Sequence, residues 1–146
     1  MITVFVDGGA RPNPGKGAYA YTIDGEGMHY QCFAPCGDKV TNNQCEYIAI
    51  CEAMKTLIEL NLTEHNITIF TDSQLLVGQL QGSWKSNSLL PYYPHYQTAK
   101  LLIKQFSGLT LRKTSREKNS QADNLVEEAL DTEEVAEETK AKTTHS

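Results

Sequence analysis

The sequence has no apolar run near the roughly 20 residues needed to cross a bilayer, and no basic segment followed by an apolar stretch opens it. These absences argue against a membrane-spanning or exported protein, so the expected setting is the cytoplasm. Cysteine is sparse and unpatterned. Cys32, Cys36, Cys45 and Cys51 match neither paired Cys-x-x-Cys knuckles nor a dense disulfide framework. Reduced thiols are expected, because no further His or Cys stands at a spacing that completes a metal site. A Walker-type phosphate loop is missing too. Gly15-Lys16-Gly17 lacks the Ser/Thr that should follow the lysine, and it leads into an alternating strand pattern rather than a helix.

An overall basic excess is also absent, but the net charge of -5 comes entirely from one end. From Glu127 onward there are seven acids (Glu127, Glu128, Asp131, Glu133, Glu134, Glu137, Glu138) and two lysines, which leaves residues 1–126 balanced with eleven charges of each sign. If four of those eleven acids hold metal ions, the remaining surface is net basic and suits a polyanion.

What is present is enough for one core. At 146 residues and 40% hydrophobic content the chain fits a single globular domain. Ile2-Thr3-Val4-Phe5-Val6 reads as a buried strand that ends on Asp7-Gly8-Gly9. A buried strand rarely ends on a carboxylate without a partner for it, so Asp7 is either a turn residue or a site acid. Gly8 to Gly17 reads as a turn-forming loop. Ala18 to Ile23 is a second strand, Asp24 to Gly27 a hairpin turn and Met28 to Ala34 a third strand, giving an antiparallel meander.

The period then changes. Cys45, Ile48, Ala49, Met54, Leu57 and Ile58 recur at helical spacing up to Asn61, with Thr41 or Asn42 as N-cap. Ile67 to Phe70 is another short apolar run that ends on an acid, in Thr71-Asp72-Ser73. Helices are predicted from Ser73 to Gln81, from Tyr92 or Tyr96 to Phe106, and from Gln121 to Leu130, with a last strand from Leu109 to Lys113. Three strands followed by alternating helix and strand predict an α/β domain over residues 1–130, with a five-stranded mixed sheet flanked by helices. Beyond Asp131 the polar, acidic composition predicts a flexible tail over residues 131–146.

Four acids stand out: Asp7, Glu46, Asp72 and Asp123. If the first and fourth strands are parallel neighbours, Asp7 and Asp72 lie side by side and repel unless cations neutralise them. Oxygen-only carboxylate sites suit Mg²⁺ or Mn²⁺, and two such ions can clamp a phosphodiester for in-line attack. Taken singly, each acid has a bland structural reading.

The flanking residues carry a resemblance. Asp7-Gly8-Gly9 with Asn13-Pro14-Gly15, the block Thr41 to Ala49 (TNNQCEYIA), Thr71-Asp72-Ser73-Gln74, and the block Arg116 to Leu125 (REKNSQADNL) resemble, in order, the four signature blocks of type 1 ribonuclease H, over about residues 1–130. The resemblance implies the ribonuclease H-like fold. It also implies an endonuclease that hydrolyses the RNA strand of RNA/DNA hybrids with two Mg²⁺ or Mn²⁺ ions held by Asp7, Glu46, Asp72 and Asp123, leaving 5′-phosphate and 3′-hydroxyl ends; a monomer is expected.

By the same resemblance, Asn13, Asn42, Asn43 and Gln74 line the minor groove of the hybrid, where amides can both donate and accept. Lys39, Thr41 and Asn87 match a pocket for a DNA-strand phosphate, and Trp84 matches an aromatic set against a deoxyribose. Trp84 reads equally well as a cover over the core between two helices. Gly8 and Gly9 would let the RNA backbone come close to the metals.

Two departures stand out. Gly82 to Leu90 is too short for the basic, tryptophan-rich protrusion of well-studied bacterial members, and Lys85 is its only basic residue. Weaker hybrid affinity is expected as a result. No histidine lies between Leu111 and Asp123, the four being His29, His65, His95 and His145. Arg116 is the expected substitute; since it stays protonated, its role is electrostatic. A hybrid-binding module without turnover and another nuclease or integrase of the same general fold are the competing readings. Retention of all four acids speaks against the first, and the Thr-Asn-Asn-x-x-Glu and Asn-x-x-Ala-Asp blocks against the second.

Overall fold

The computed structural model describes residues 1–82 and 84–144, with side chains as far as residue 132. Strands β1 (Ile2–Arg11), β2 (Gly15–Gly25), β3 (Met28–Val40), β4 (Asn66–Thr71) and β5 (Gly108–Lys113) form one mixed sheet in the order β3-β2-β1-β4-β5. The first three pair antiparallel, while β4 lies parallel to β1 and β5 parallel to β4. The β1/β4 register runs from Ile2↔Ile67 to Phe5↔Phe70. Continued by two residues, it brings Asp7 and Asp72 to the same end of adjacent strands, as the sequence predicts.

Side-chain alternation divides the sheet into two faces. Ile2, Val4 and Val6 share one core with Ile23, Ile67 and Ile69 and with Ala49, Ile50, Ala53, Met54 and Leu57 of helix α1 (Asn42–Glu59). Helices α2 (Gln74–Leu80) and α3 (Tyr93–Ile103) complete that layer. On the other face, helix α4 (Ser120–Thr144) lays Leu125, Val126, Ala129 and Leu130 over Ala18 and Ala20. Truncating the fully buried Leu57 or Met54 to Ala costs about 2–5 kcal/mol, a large share of an ordinary domain's stability of about 5–15 kcal/mol.

Local sequence fixes where α1 begins. Thr41 is extended and forms a capping box: its hydroxyl accepts from the Gln44 amide at 3.1 Å, and the Gln44 side chain accepts from the Thr41 amide at 2.9 Å. A cap of this kind contributes about 1 kcal/mol, and it holds the turn that carries Glu46. A buried polar cluster joins α1 to α2 and its exit. The Tyr47 hydroxyl bonds the Gln79 side chain, whose Nε2 donates to the Tyr92 hydroxyl at 2.9 Å and to the Lys85 carbonyl at 3.1 Å.

The structure corrects three boundaries. Gly8 to Gly17 is not a loop: β1 and β2 stay paired from Gly8↔Tyr19 to Arg11↔Lys16, so the turn shrinks to residues 12–14. Backbone pairing needs no side chains, and the glycines fit a close ladder. β3 continues past Ala34 to Val40, with register shifts opposite Gly15 and Gly17. The last helix, expected to stop at Leu130, runs on to Thr144 through a stretch with neither Gly nor Pro, in which the good helix formers Glu, Ala and Lys outnumber the less favourable Thr, Val and Asp. The segment expected as a flexible tail therefore carries helical backbone to that point, and residues 145–146 lie outside the described residues. Among the described residues no helix is long and apolar enough to cross a membrane.

Candidate active site

Asp7 lies in β1, opposite Ala20, and is only 6% exposed. Asp72 follows β4 directly. That strand end is fixed by Thr71, whose carbonyl accepts from the Thr114 amide at 2.8 Å and whose hydroxyl accepts from the Ser73 amide at 3.1 Å. Glu46 arrives from α1 because Gly8 lets the helix rest on the strand backbone. A Cβ at Gly8 would stand 2.3 Å from the Cys45 carbonyl carbon and 2.6 Å from the Glu46 nitrogen. The Cβ position of Gly8 is thus filled by α1, while the glycine itself lines the cavity that holds the acids. A Cβ at Gly9 would meet nothing closer than Asn42 Oδ1 at 3.7 Å.

Asp123 is set by Asn119, a residue to which sequence reasoning gave no role. The buried Asn119 side chain donates from Nδ2 to the Val6 carbonyl at 2.9 Å, and its own carbonyl accepts from the Asp123 amide at 3.0 Å. One residue thereby ties the start of α4 to the strand position just before Asp7. Its only sequence signal was its place in the Asn-x-x-Ala-Asp block.

The four acids meet in one cavity of about 260 Å³, which Gly8, Asn42, Arg11 and Arg116 also line. Ligand oxygens of Asp7, Glu46 and Asp72 all lie within 4.8 Å of one another, and Asp123 lines the same cavity. Burial, followed by the charge of Asp72 and by Asp123, pushes the Asp7 carboxyl up to about 8. Burial and Asp72 push Glu46 up to about 7, against the opposing pull of a Ser73 hydrogen bond and Arg116. Without cations the site therefore holds protons near neutral pH. Its oxygen-only ligand set suits a hard divalent ion, which could take their place. Arg116 sits at the edge, with Nε 3.8 Å from Asp72 Oδ2 and its side chain 82% exposed.

The residues expected to bind substrate fall into separate places. Asn13, Thr41, Asn42 and Asn43 line one groove together with Pro91 and Tyr92. The Ala10 amide donates to Asn42 Oδ1 at 2.8 Å and the Asn42 amide to Asn13 Oδ1 at 3.1 Å. With those oxygens engaged, the two side chains offer NH₂ donors to an outside acceptor. Gln74 and Trp84 line a different pocket, with Gln81 and Lys113. The Trp84 indole lies against Gly78, where a Cβ would be 2.3 Å from the ring, and is 49% exposed; it does not cover the core between two helices. Lys39 is exposed near the end of β3. Exposed Asn87 accepts from the Leu89 amide at 2.9 Å in a local turn. Neither Lys39 nor Asn87 lines the groove that contains Thr41.

The chain is similar to known proteins in sequence and in fold. The family model described as RNase H matches residues 1–131. Ribonuclease HI of Halobacterium salinarum is 32% identical over 135 residues, covering 89% of this chain and 64% of that protein. The bifunctional protein Rv2228c of Mycobacterium tuberculosis is 31% identical over 135 residues, covering 89% of this chain and 35% of that protein. The chain thus spans about a third to two thirds of the length of these curated relatives. Among solved structures, LC11-RNase H1 in complex with an RNA/DNA hybrid superposes with a TM-score of 0.82 at 30% identity, covering 90% of this chain and 98% of that one. By its sequence blocks, its strand order and the meeting of its four acids, this chain belongs to the type 1 ribonuclease H family.

Proposed function

We propose that the chain is an endonuclease that hydrolyses the RNA strand of RNA/DNA hybrids, acting as a cytoplasmic monomer. The observation that carries this reading is the convergence of Asp7, Glu46 and Asp72 within 4.8 Å, with Asp123 in the same cavity. These four carboxylates would hold two divalent ions, Mg²⁺ or Mn²⁺. The chemistry supplied by bound ions is the lowering of a water's pKa and the neutralising of charge on the leaving 3′ oxygen, which yields 5′-phosphate and 3′-hydroxyl ends.

The chain's own residues place the substrate. Asn13, Asn42 and Asn43 present amides along one groove, suited to 2′-hydroxyls and base edges of a minor groove. Gln74 and the half-exposed indole of Trp84 offer an amide and an apolar face to the partner strand. Lys39, Thr41 and Asn87 supply a cation and short polar groups for a DNA-strand phosphate. Arg116, in place of a loop histidine, steadies the scissile phosphate or the departing product by charge alone. The short interval from Gly82 to Leu90, with Lys85 its only basic residue, supports reading the chain as a member of the family branch without the basic protrusion.

Cleavage of labelled RNA/DNA, RNA/RNA and DNA/DNA duplexes, each with Mg²⁺ and with Mn²⁺, tests the reading. RNA-strand scission confined to the hybrid and dependent on the ion is expected. Binding of the hybrid with no scission under either ion would leave a recognition module instead.

A further inference from the structure

The cavity that holds the four acids carries an arginine that helix α4 keeps occupied. Arg11 ends β1 and lines that cavity, as does Glu127, one helical turn beyond Asp123. The guanidinium donates from Nη2 to Glu127 and from Nη1 to Asp131 Oδ1 at 3.2 Å. Arg11 thus belongs to the acid cavity itself, while Asn42 lines both that cavity and the amide-lined groove. Ala10, the neighbour of Arg11, bonds Asn42, which in turn bonds Asn13, so the end of β1 is tied to the groove.

The pairing is of a kind that can be exchanged. The three side chains are 41%, 57% and 66% exposed, and exposed ion pairs each shift an equilibrium by only about five-fold or less. A phosphate offers the same forked acceptor geometry as a carboxylate, and arginine serves both.

We propose that Arg11 is a substrate-binding residue that grips a backbone phosphate near the scissile site, and that Glu127 and Asp131 compete with the substrate for it, so that α4 sets hybrid affinity. This rests on the hybrid reading given above. A purely structural pair, serving only to pin α4 to β1, would leave affinity unchanged when the acids are neutralised.

The test is fluorescence-anisotropy titration of a labelled RNA/DNA hybrid with the full chain in chelator, repeated over a range of salt. E127Q/D131N should bind about three- to ten-fold tighter than the unaltered chain, and its log K against log salt should steepen by about one. Adding R11Q to that pair should abolish both changes, and R11Q alone should weaken binding, by no more than the roughly five-fold that one exposed contact supplies. E128Q removes a charge from the same helix but outside the catalytic cavity, and it should leave affinity within about two-fold. The single variants E127Q and D131N should each show part of the gain, which keeps the test open if the double variant folds poorly. A gain that survives R11Q, an equal gain from E128Q, or no gain at all overturns the competition. Failure of every variant to bind the hybrid above a DNA duplex overturns the hybrid reading itself, and the competition with it.

Discussion

Replacing Asp7 by Asn removes a carboxyl that the folded, metal-free chain keeps protonated up to about pH 8, whereas the unfolded chain ionises it near 3.8. Between those values the folded state binds the proton more tightly, so stability falls as pH rises across the window. The contribution is fully present below about pH 4 and lost as pH rises through about 8. At about 1.4 kcal/mol per pKa unit, the shift from 3.8 to about 8 sets a ceiling of about 6 kcal/mol on the penalty above pH 8. Relaxation and water entry around the ionised carboxylate keep the real penalty below that ceiling, so a gain of about 1–3 kcal/mol is expected for Asp7→Asn at about pH 8.5 in chelator. That corresponds to a Tm rise of about 3–10 °C for a domain of this size. Thermal unfolding followed by circular dichroism measures it. The gap between variant and parent should narrow towards pH 4–5. Added Mg²⁺ should close it at about pH 8.5 by stabilising only the parent. A variant less stable than the parent at high pH in chelator, or a gap independent of pH, would refute the reasoning.

Other outcomes follow from the same geometry. Gly8→Ala should destabilise by about 1–3 kcal/mol, because its Cβ would stand 2.3 Å from the Cys45 carbonyl carbon, while Gly9→Ala, with nothing closer than 3.7 Å, should stay within about 0.5 kcal/mol; urea unfolding midpoints would compare the two. Asn119→Ala leaves the Val6 carbonyl without its 2.9 Å donor, so stability should fall by about 1–3 kcal/mol. Cleavage should also slow, as the turn carrying Asp123 is loosened from β1; unchanged unfolding and unchanged rate would count against the tie. With Lys85 the only basic residue between α2 and α3, hybrid affinity should be weaker and less salt-dependent than in family members with a basic protrusion, as a side-by-side titration at matched salt would show.

Much of the fold could be read in advance because its signals are local. Alternation marked β1 and β2, a short apolar run marked β4, and the change to helical period marked α1; the pairing of β1 with β4 then set Asp7 beside Asp72 as the conditional reading required. The acid set was legible because each member sits in a short block with its own context. What escaped depends on contacts distant in sequence or on backbone alone. The Gly- and Pro-rich stretch after Asp7 signals a turn by composition, yet its strands pair through backbone groups that composition does not report. Arg11 meets Glu127 across 116 positions and Asn119 meets Val6 across 113, and neither pairing leaves a local mark. Trp84 settled on Gly78 because that glycine leaves room for the ring, a complementarity visible only once α2 and its exit are placed.

The central claim is that the clustered carboxylates make this chain a hybrid-specific nuclease, and cleavage of an end-labelled RNA/DNA hybrid by the parent and by Asp72→Asn tests it most directly. Ion-dependent scission of the RNA strand by the parent, reduced by at least about a hundred-fold in the variant, is the predicted result. Equal cleavage by the two proteins, or none by the parent with either Mg²⁺ or Mn²⁺, would contradict it.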